Sequence, residues 1–137
     1  MKKVLIVTHG KFAEGITSAL NIILGDNSNI IYLNTYIDDS DFRDNLDILL
    51  NENINNELLI FTDLFGGSIN QEVIKRLKKQ SIDLISGVSL PLLLELLVTG
   101  IYWDKDKIRK AIDNAKNQII YVNDYLETIN KNGDDFE

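Results

Sequence analysis

Apolar residues along this chain occur in two alternating patterns. Short runs of β-branched and aliphatic residues, typical of parallel strands buried on both faces, predict strands at 3–8, 30–33, 58–62 and 82–86. Between these runs, apolar residues recur every three or four positions, as on one face of a helix. This second pattern predicts helices over roughly 11–24, 42–50, 69–77 and 89–99. Alternating strands and helices indicate a doubly wound α/β fold with a mainly parallel sheet, for which we expect the strand order 2-1-3-4.

The carboxyl-terminal part of the chain is less clearly patterned. Asp104 can cap a further helix, and the apolar segment 119–122 follows that helix. The β-branched and aromatic content of this segment favours a strand, although Val122 would also continue a helical stripe with Leu126 and Ile129. We expect an antiparallel strand at an edge of the sheet. Residues 3–129 are predicted to form one domain, and the polar, acidic stretch 130–137 is predicted to be disordered.

Composition narrows the possible functions. The 137 residues include no cysteine and one histidine, so the chain offers no disulfide framework, no thiol nucleophile and no histidine cluster for a metal. The formal net charge of −7 argues against binding to nucleic acid, which recruits basic surfaces. The apolar run before His9 is too short for a signal peptide or a membrane span. We therefore expect a cytoplasmic protein that uses no metal and no cofactor.

The residues most suited to chemistry follow the first and third strands. His9 comes at the carboxyl end of the first strand, and Asp63 and the turn Gly66-Gly67-Ser68 come at that of the third. In the order 2-1-3-4 the first and third strands are neighbours, and the chain order reverses between them. Doubly wound folds bind ligands in the crevice at this point. An imidazole there, near the amino end of the first helix, could act as a nucleophile toward a phosphoryl group. Asp63 could fix the ring tautomer, and backbone N–H groups of the turn could hold phosphate oxygens.

Each of these residues also has an ordinary structural explanation. A single histidine is commonly a surface residue or a satisfied core group, and Asp63 could simply be a turn residue that bonds its own backbone. Gly66 and Gly67 could serve only to permit positive φ angles, and the segment 68–71 fits a capping box begun by Ser68. A hydrolase built from Ser68, His9 and Asp63 is disfavoured because the chain lacks the G-x-S-x-G elbow. It also lacks the phosphate-binding motifs of nucleotide-dependent enzymes.

Three segments together resemble one known family. They are VTHGKFAEG at 7–15, TDLFGGS at 62–68 and GVSLPLLLE at 87–95. In this order they resemble the IIA components of mannose-family sugar phosphotransferase systems, and the resemblance extends from about Lys3 to the 120s. It implies that His9 accepts a phosphoryl group from the phosphocarrier protein HPr and passes it to a histidine of a IIB component. Phosphorylation by IIB then accompanies sugar uptake through a membrane IIC/IID pair.

The resemblance also assigns roles to individual residues. It implies that Asp63 orients His9, and that Gly66, Gly67 and Ser68 contact the phosphoryl group. From the side of the third strand, Asp63 should reach Nδ1 of His9 and leave Nε2 as the phosphorylated atom. The family further implies a homodimer in which the edge strand at 119–122 is exchanged. Candidate contacts for the protein partners are Phe12, Phe65 and Leu90.

Two departures and two alternative functions accompany the resemblance. Ile69 stands where the family commonly has proline, and Ser89 stands where it commonly has asparagine.

The phosphotransfer subunit of dihydroxyacetone kinase would use the same histidine, but its turn typically reads more like D-L-G-S-A than the D-L-F-G-G-S of this chain. The second alternative is a non-catalytic regulatory domain that binds partners according to its phosphorylation state.

Overall fold

All four predicted strands form, and together they make one parallel sheet. A computed structural model describes residues 1–79 and 81–131. The strands are β1 (Lys2–His9), β2 (Ile30–Thr35), β3 (Glu57–Thr62) and β4 (Ile82–Ser86). Their order is β2-β1-β3-β4, and every neighbouring pair is parallel. This confirms the predicted order and places the ends of β1 and β3 side by side.

The described part of the chain also contains six α-helices. They are α1 (Phe12–Leu24), α2 (Phe42–Glu52), α3 (Ser68–Ile74), α4 (Leu90–Leu97), α5 (Lys105–Lys116) and α6 (Val122–Lys131). Ser89 caps α4 and Asp104 caps α5, as predicted, each by accepting a hydrogen bond from a backbone N–H of the first turn. The cap of α2 is Asp41, which accepts from the backbone N–H of Arg43 at 3.0 Å.

The core has two layers, one on each face of the sheet. Val4 and Ile6 of β1 face the layer formed with α1, α4 and α5, whereas Leu5 and Val7 face the layer formed with α2 and α3. Successive strand residues point to opposite faces, so an uninterrupted apolar run fills both layers. The sheet centre is therefore apolar on both sides, and polar side chains concentrate where the strands end.

The carboxyl-terminal segment differs from the prediction. Residues 119–121 belong to no helix or strand, and α6 begins at Val122, so the strand predicted at 119–122 is wrong for the single chain. Strand propensity is realised only when a segment pairs with a neighbouring strand, and within the described chain this segment pairs with none. The helical stripe through Leu126 and Ile129 forms instead. Pairing of 119–122 with a second copy stays a prediction.

The disordered tail was predicted to begin at Asn130, which is at least two residues too early. Asn130 and Lys131, which were assigned to it, are the last two residues of α6. The remainder of the predicted tail, 132–137, lies outside the described residues.

Candidate functional site

His9 and Asp63 are in direct contact at the carboxyl ends of β1 and β3. The last register pair between these strands is Val7 with Thr62, so both side chains emerge just beyond the paired region. One carboxylate oxygen of Asp63, Oδ2, lies 2.9 Å from Nδ1 of His9 and also accepts the backbone N–H of His9 at 2.9 Å. The other oxygen accepts the backbone N–H of Leu64 at 3.1 Å. Asp63 therefore binds both the ring and the backbone of His9.

The charge state of Asp63 decides which ring nitrogen of His9 carries the proton. Burial by itself raises the pKa of the Asp63 carboxyl, but the hydrogen bonds from the backbone and ring of His9 outweigh burial and lower that pKa below its usual range. Asp63 is thus ionised at neutral pH and can only accept, so Nδ1 is the protonated nitrogen. Nε2 then keeps its lone pair. It makes no hydrogen bond within 1–79 or 81–131, and the His9 side chain is 42% exposed.

The turn from β1 into α1 holds His9 tightly from both sides. Gly10 adopts a φ of 56°, a left-handed conformation that side chains other than that of glycine rarely adopt. The hydroxyl of Thr8 accepts the backbone N–H of Ala13 at 2.6 Å, which ties the residue before His9 to the first turn of α1. The Gly10 N–H donates to the carbonyl oxygen of Thr35 at 2.8 Å, which ties the residue after His9 to the end of β2.

Tyr36, which the sequence analysis did not single out, covers His9 from the β2 side. Its ring is stacked on the imidazole, with the two centroids 5.4 Å apart and an interplanar angle of 13°. Its backbone φ is +58°, the only positive value among the non-glycine residues that the structure describes. A left-handed conformation costs a tyrosine about 1–3 kcal/mol. The predicted strand order offered a signal, because Tyr36 follows a strand that neighbours β1.

The glycine turn after β3 leads into α3. Gly66 has a φ of 79°, and Gly67 is the N-cap of α3, so Ser68 is already the first helical residue. The predicted capping box is therefore wrong. The Gln71 side chain donates to the Gly66 carbonyl at 2.8 Å, and the Ser68 hydroxyl lies 2.9 Å from the hydroxyl of Tyr36. Ser68 is thus joined to the His9 site through Tyr36.

A buried polar cluster fixes α3 against the sheet. The Thr62 hydroxyl lies 2.9 Å from the side-chain oxygen of Asn70 and 3.2 Å from the Ser86 hydroxyl. Thr62 and Asn70 are almost inaccessible to solvent, so these hydrogen bonds hold α3 at the ends of β3 and β4. The helix that carries Ser68 is thereby held in place.

The three candidate partner contacts differ in exposure. Phe65 is 86% exposed at the tip of the turn after β3, and Phe12 is 48% exposed at the start of α1. Leu90 is half-buried and packs against the core layer beneath α4. Phe12 and Phe65 are therefore available at the surface, whereas Leu90 also has a structural role.

A surface pocket of about 410 Å³ borders the Tyr36 and Ser68 pair and contains Arg43. The guanidinium of Arg43 is bound through two nitrogens by the Asp41 carboxylate, whose pKa this contact lowers to about 2. Arg43 is therefore already paired with a carboxylate at the edge of this pocket. Within the described ranges, no group of three or more His, Cys, Asp or Glu side chains could hold a metal ion. No described helix is long and apolar enough to cross a membrane.

Comparisons with known proteins identify the family and the fold of the chain. Residues 3–116 match the family model EIIA-man, described as the PTS system fructose IIA component. A Klebsiella pneumoniae protein proposed to be a phosphoenolpyruvate-dependent sugar phosphotransferase system permease is 30% identical, with a TM-score of 0.84 and coverage of 91% of this chain and 93% of that one. The phosphotransferase system component EIIA of Streptococcus agalactiae is 26% identical, with a TM-score of 0.74 and coverage of 90% and 98%.

A third solved structure is the PTS IIA protein associated with the fucose utilization operon of Streptococcus pneumoniae, which is 25% identical, with a TM-score of 0.77 and coverage of 91% and 96%. No curated protein sequence matches this chain. The family match covers most of the chain and includes both His9 and Asp63. The chain belongs to the EIIA-man family, the mannose-type IIA components of the sugar phosphotransferase system.

Proposed function

We propose that this chain is a cytoplasmic phosphoryl carrier that accepts a phosphoryl group from HPr on His9 and passes it to a IIB component. The observation that carries the proposal is the contact between Asp63 and Nδ1 of His9, which leaves the other ring nitrogen free to react. Membership of the EIIA-man family supports the same assignment. The phosphoryl group then reaches a sugar that enters through the membrane IIC/IID pair.

The transfer uses the lone pair of Nε2. It attacks the phosphorus of phosphorylated HPr, so a new P–N bond forms as the bond between phosphorus and the HPr histidine breaks, and that histidine recovers its electron pair. The His9 ring, protonated at Nδ1 and phosphorylated at Nε2, carries a positive charge. The Asp63 carboxylate stabilises that charge through the Nδ1 hydrogen bond. Transfer to IIB repeats these steps with His9 as the leaving group.

The phosphoryl oxygens require hydrogen-bond donors while the group is carried. The backbone N–H groups of Gly66 and Gly67 and the hydroxyl of Ser68 are the proposed donors, because this turn enters α3 beside the His9 site. The Gly67 N–H donates to the Leu64 carbonyl at 3.4 Å in the unphosphorylated chain and would exchange this long hydrogen bond for one to a phosphoryl oxygen. The exposed rings of Phe12 and Phe65 are proposed to contact HPr and IIB, and half-buried Leu90 is the third proposed contact. No metal or cofactor is proposed, because positioned donors suffice for transfer between two imidazoles.

Phosphorylation with phosphoenolpyruvate, Enzyme I and HPr tests the proposal directly. Intact-mass measurement should show one added phosphoryl group on the wild-type chain and none on His9→Ala. Subsequent addition of a IIB component should remove it. A phosphoryl group on His9→Ala would refute His9 as the site. A stable phosphorylated chain that no IIB component can discharge would favour the regulatory alternative.

A further inference from the structure

Tyr36 has no part in the transfer steps above, yet it contacts both His9 and Ser68. Its ring is stacked on the imidazole, and its hydroxyl lies 2.9 Å from that of Ser68. Its φ of +58° is strained for an aromatic residue, and such a conformation persists only where surrounding contacts fix it. The position of this ring is therefore determined by its neighbours.

Contacts on three sides fix Tyr36. The preceding residue, Thr35, is bound to β1 on both sides of His9: its hydroxyl donates to the Thr8 carbonyl at 3.0 Å, and its carbonyl accepts the Gly10 N–H at 2.8 Å. The buried ring of Phe42, at the start of α2, contacts Tyr36 with centroids 5.5 Å apart and an angle of 54°. The third contact is the stack of the ring on His9, and the hydroxyl also meets that of Ser68. Although Tyr36 is 59% exposed, its ring contacts both the imidazole of His9 and the buried ring of Phe42.

We propose that Tyr36 is a positioning residue for the phosphoryl-transfer site, an inference that rests on the proposed function. Its ring sets the plane of the His9 imidazole, so that Nδ1 stays directed at Asp63. Its hydroxyl donates to Ser68, which turns the serine proton toward the phosphoryl group on Nε2. One side chain thus orients the nucleophile and a donor to its product.

This arrangement forms a chain of hydrogen bonds from Tyr36 through Ser68 to a phosphoryl oxygen. A hydroxyl that accepts one hydrogen bond donates its own more strongly, so the two hydroxyls act as a unit. A purely structural tyrosine would instead affect stability and leave the contribution of Ser68 unchanged. The two roles can therefore be separated by measuring whether the effect of a Tyr36 substitution on the transfer rate depends on the presence of the Ser68 hydroxyl.

A double-mutant cycle on the full chain tests the hydroxyl contact. Tyr36→Phe keeps the ring and removes the hydroxyl, and Ser68→Ala removes its partner; each variant and the combination are assayed for phosphoryl transfer from HPr. We expect Tyr36→Phe to slow transfer about two- to tenfold when Ser68 is present and to have almost no effect in Ser68→Ala, because one hydrogen bond is lost only once. If the rate loss of the double variant equals the product of the two single losses, the two hydroxyls act independently, and this part of the proposal is overturned.

Nitrogen-15 NMR of unphosphorylated protein tests the ring contact without any donor. Tyr36→Leu should shift the ring signals of His9 and reduce the population protonated at Nδ1, whereas Tyr36→Phe should leave that population unchanged. Tyr32→Phe, at an exposed tyrosine within β2, is the control and should alter neither measurement. Unchanged His9 signals in folded Tyr36→Leu would overturn the positioning role.

The two experiments also distinguish failure of this inference from failure of the proposed function. If the wild-type chain takes no phosphoryl group from HPr, the proposed function fails, and the NMR comparison alone decides whether Tyr36 positions His9. If the wild type is phosphorylated but Tyr36→Phe transfers at the wild-type rate, only the inference about the Tyr36 hydroxyl fails.

Discussion

Replacing Asp63 with asparagine removes a charge from the His9 site while keeping the shape of the side chain. The asparagine carbonyl oxygen can occupy the position of Oδ2 and still accept both hydrogen bonds from His9, each 2.9 Å long. Two interactions are lost: the attraction between the carboxylate and the positive charge proposed for the phosphorylated ring, and the hydrogen bond from the Leu64 N–H, because the amide NH2 group then stands where Oδ1 accepted it at 3.1 Å. A hydrogen bond to a charged group is worth about 1–2 kcal/mol more than a neutral one, which corresponds to a transfer about five- to thirtyfold slower.

The assay for Asp63→Asn is rapid-quench phosphoryl transfer from radiolabelled HPr, with circular dichroism to confirm folding. The matched control is Asp104→Asn, because asparagine caps a helix about as well as aspartate does. Asp104 also lies far from His9. The ring of its neighbour Trp103 is centred 4.5 Å from the ammonium group of Lys2, at the opposite end of β1 from His9. The eight residues of β1 separate these two ends by about 20 Å. A folded Asp63→Asn that transfers at the rate of the control would refute an orienting role for Asp63. Loss of folding would favour the turn-residue explanation.

Four other outcomes are expected. Folding lowers the pKa of Asp63, so this residue stabilises the folded chain above its unfolded pKa of about 3.9. That stabilisation is lost as the pH falls through the folded pKa. Urea titrations should therefore show that the difference in unfolding free energy between wild type and Asp63→Asn shrinks below about pH 4. Nitrogen-15 NMR should find the phosphoryl group on Nε2 of His9, and a signal from phosphorylated Nδ1 would contradict the geometry. Phe65→Ala should weaken transfer from HPr without changing the melting temperature, because the ring is exposed. Light scattering should find a dimer for the full chain and a monomer for a chain truncated before Gln118; a full-length monomer at micromolar concentration would count against exchange of 119–122.

The sequence predicted the sheet well because its strands are buried on both faces. A run such as 58–62, which is apolar almost throughout, fits neither an amphipathic helix nor a surface loop. Strand order then followed from the fold class, and strand order alone brought His9 and Asp63 to one crevice. The contact between them could be predicted because both follow directly from the ends of neighbouring strands.

The parts of the site that were missed depend on backbone conformations with no residue signature. Positive φ angles are expected at glycine, and a tyrosine gives no signal of one. The left-handed conformation of Tyr36 therefore could not be predicted from the sequence. The capping box failed because Gly67 occupies the cap position, one residue earlier than the pattern around Ser68 suggested. The strand predicted at 119–122 does not form within the single chain, because local propensity cannot say whether a pairing partner is present.

The contact between His9 and Asp63 depends on the alignment of β1 with β3. Val7 faces Thr62 in the last register pair, and the two side chains meet because each lies a fixed, short distance beyond it. A slip of one residue between these strands would send Leu5 and Val7 to the opposite face and separate the histidine from the carboxylate. An insertion or deletion inside β1 or β3 would therefore disrupt both the core and the contact between His9 and Asp63.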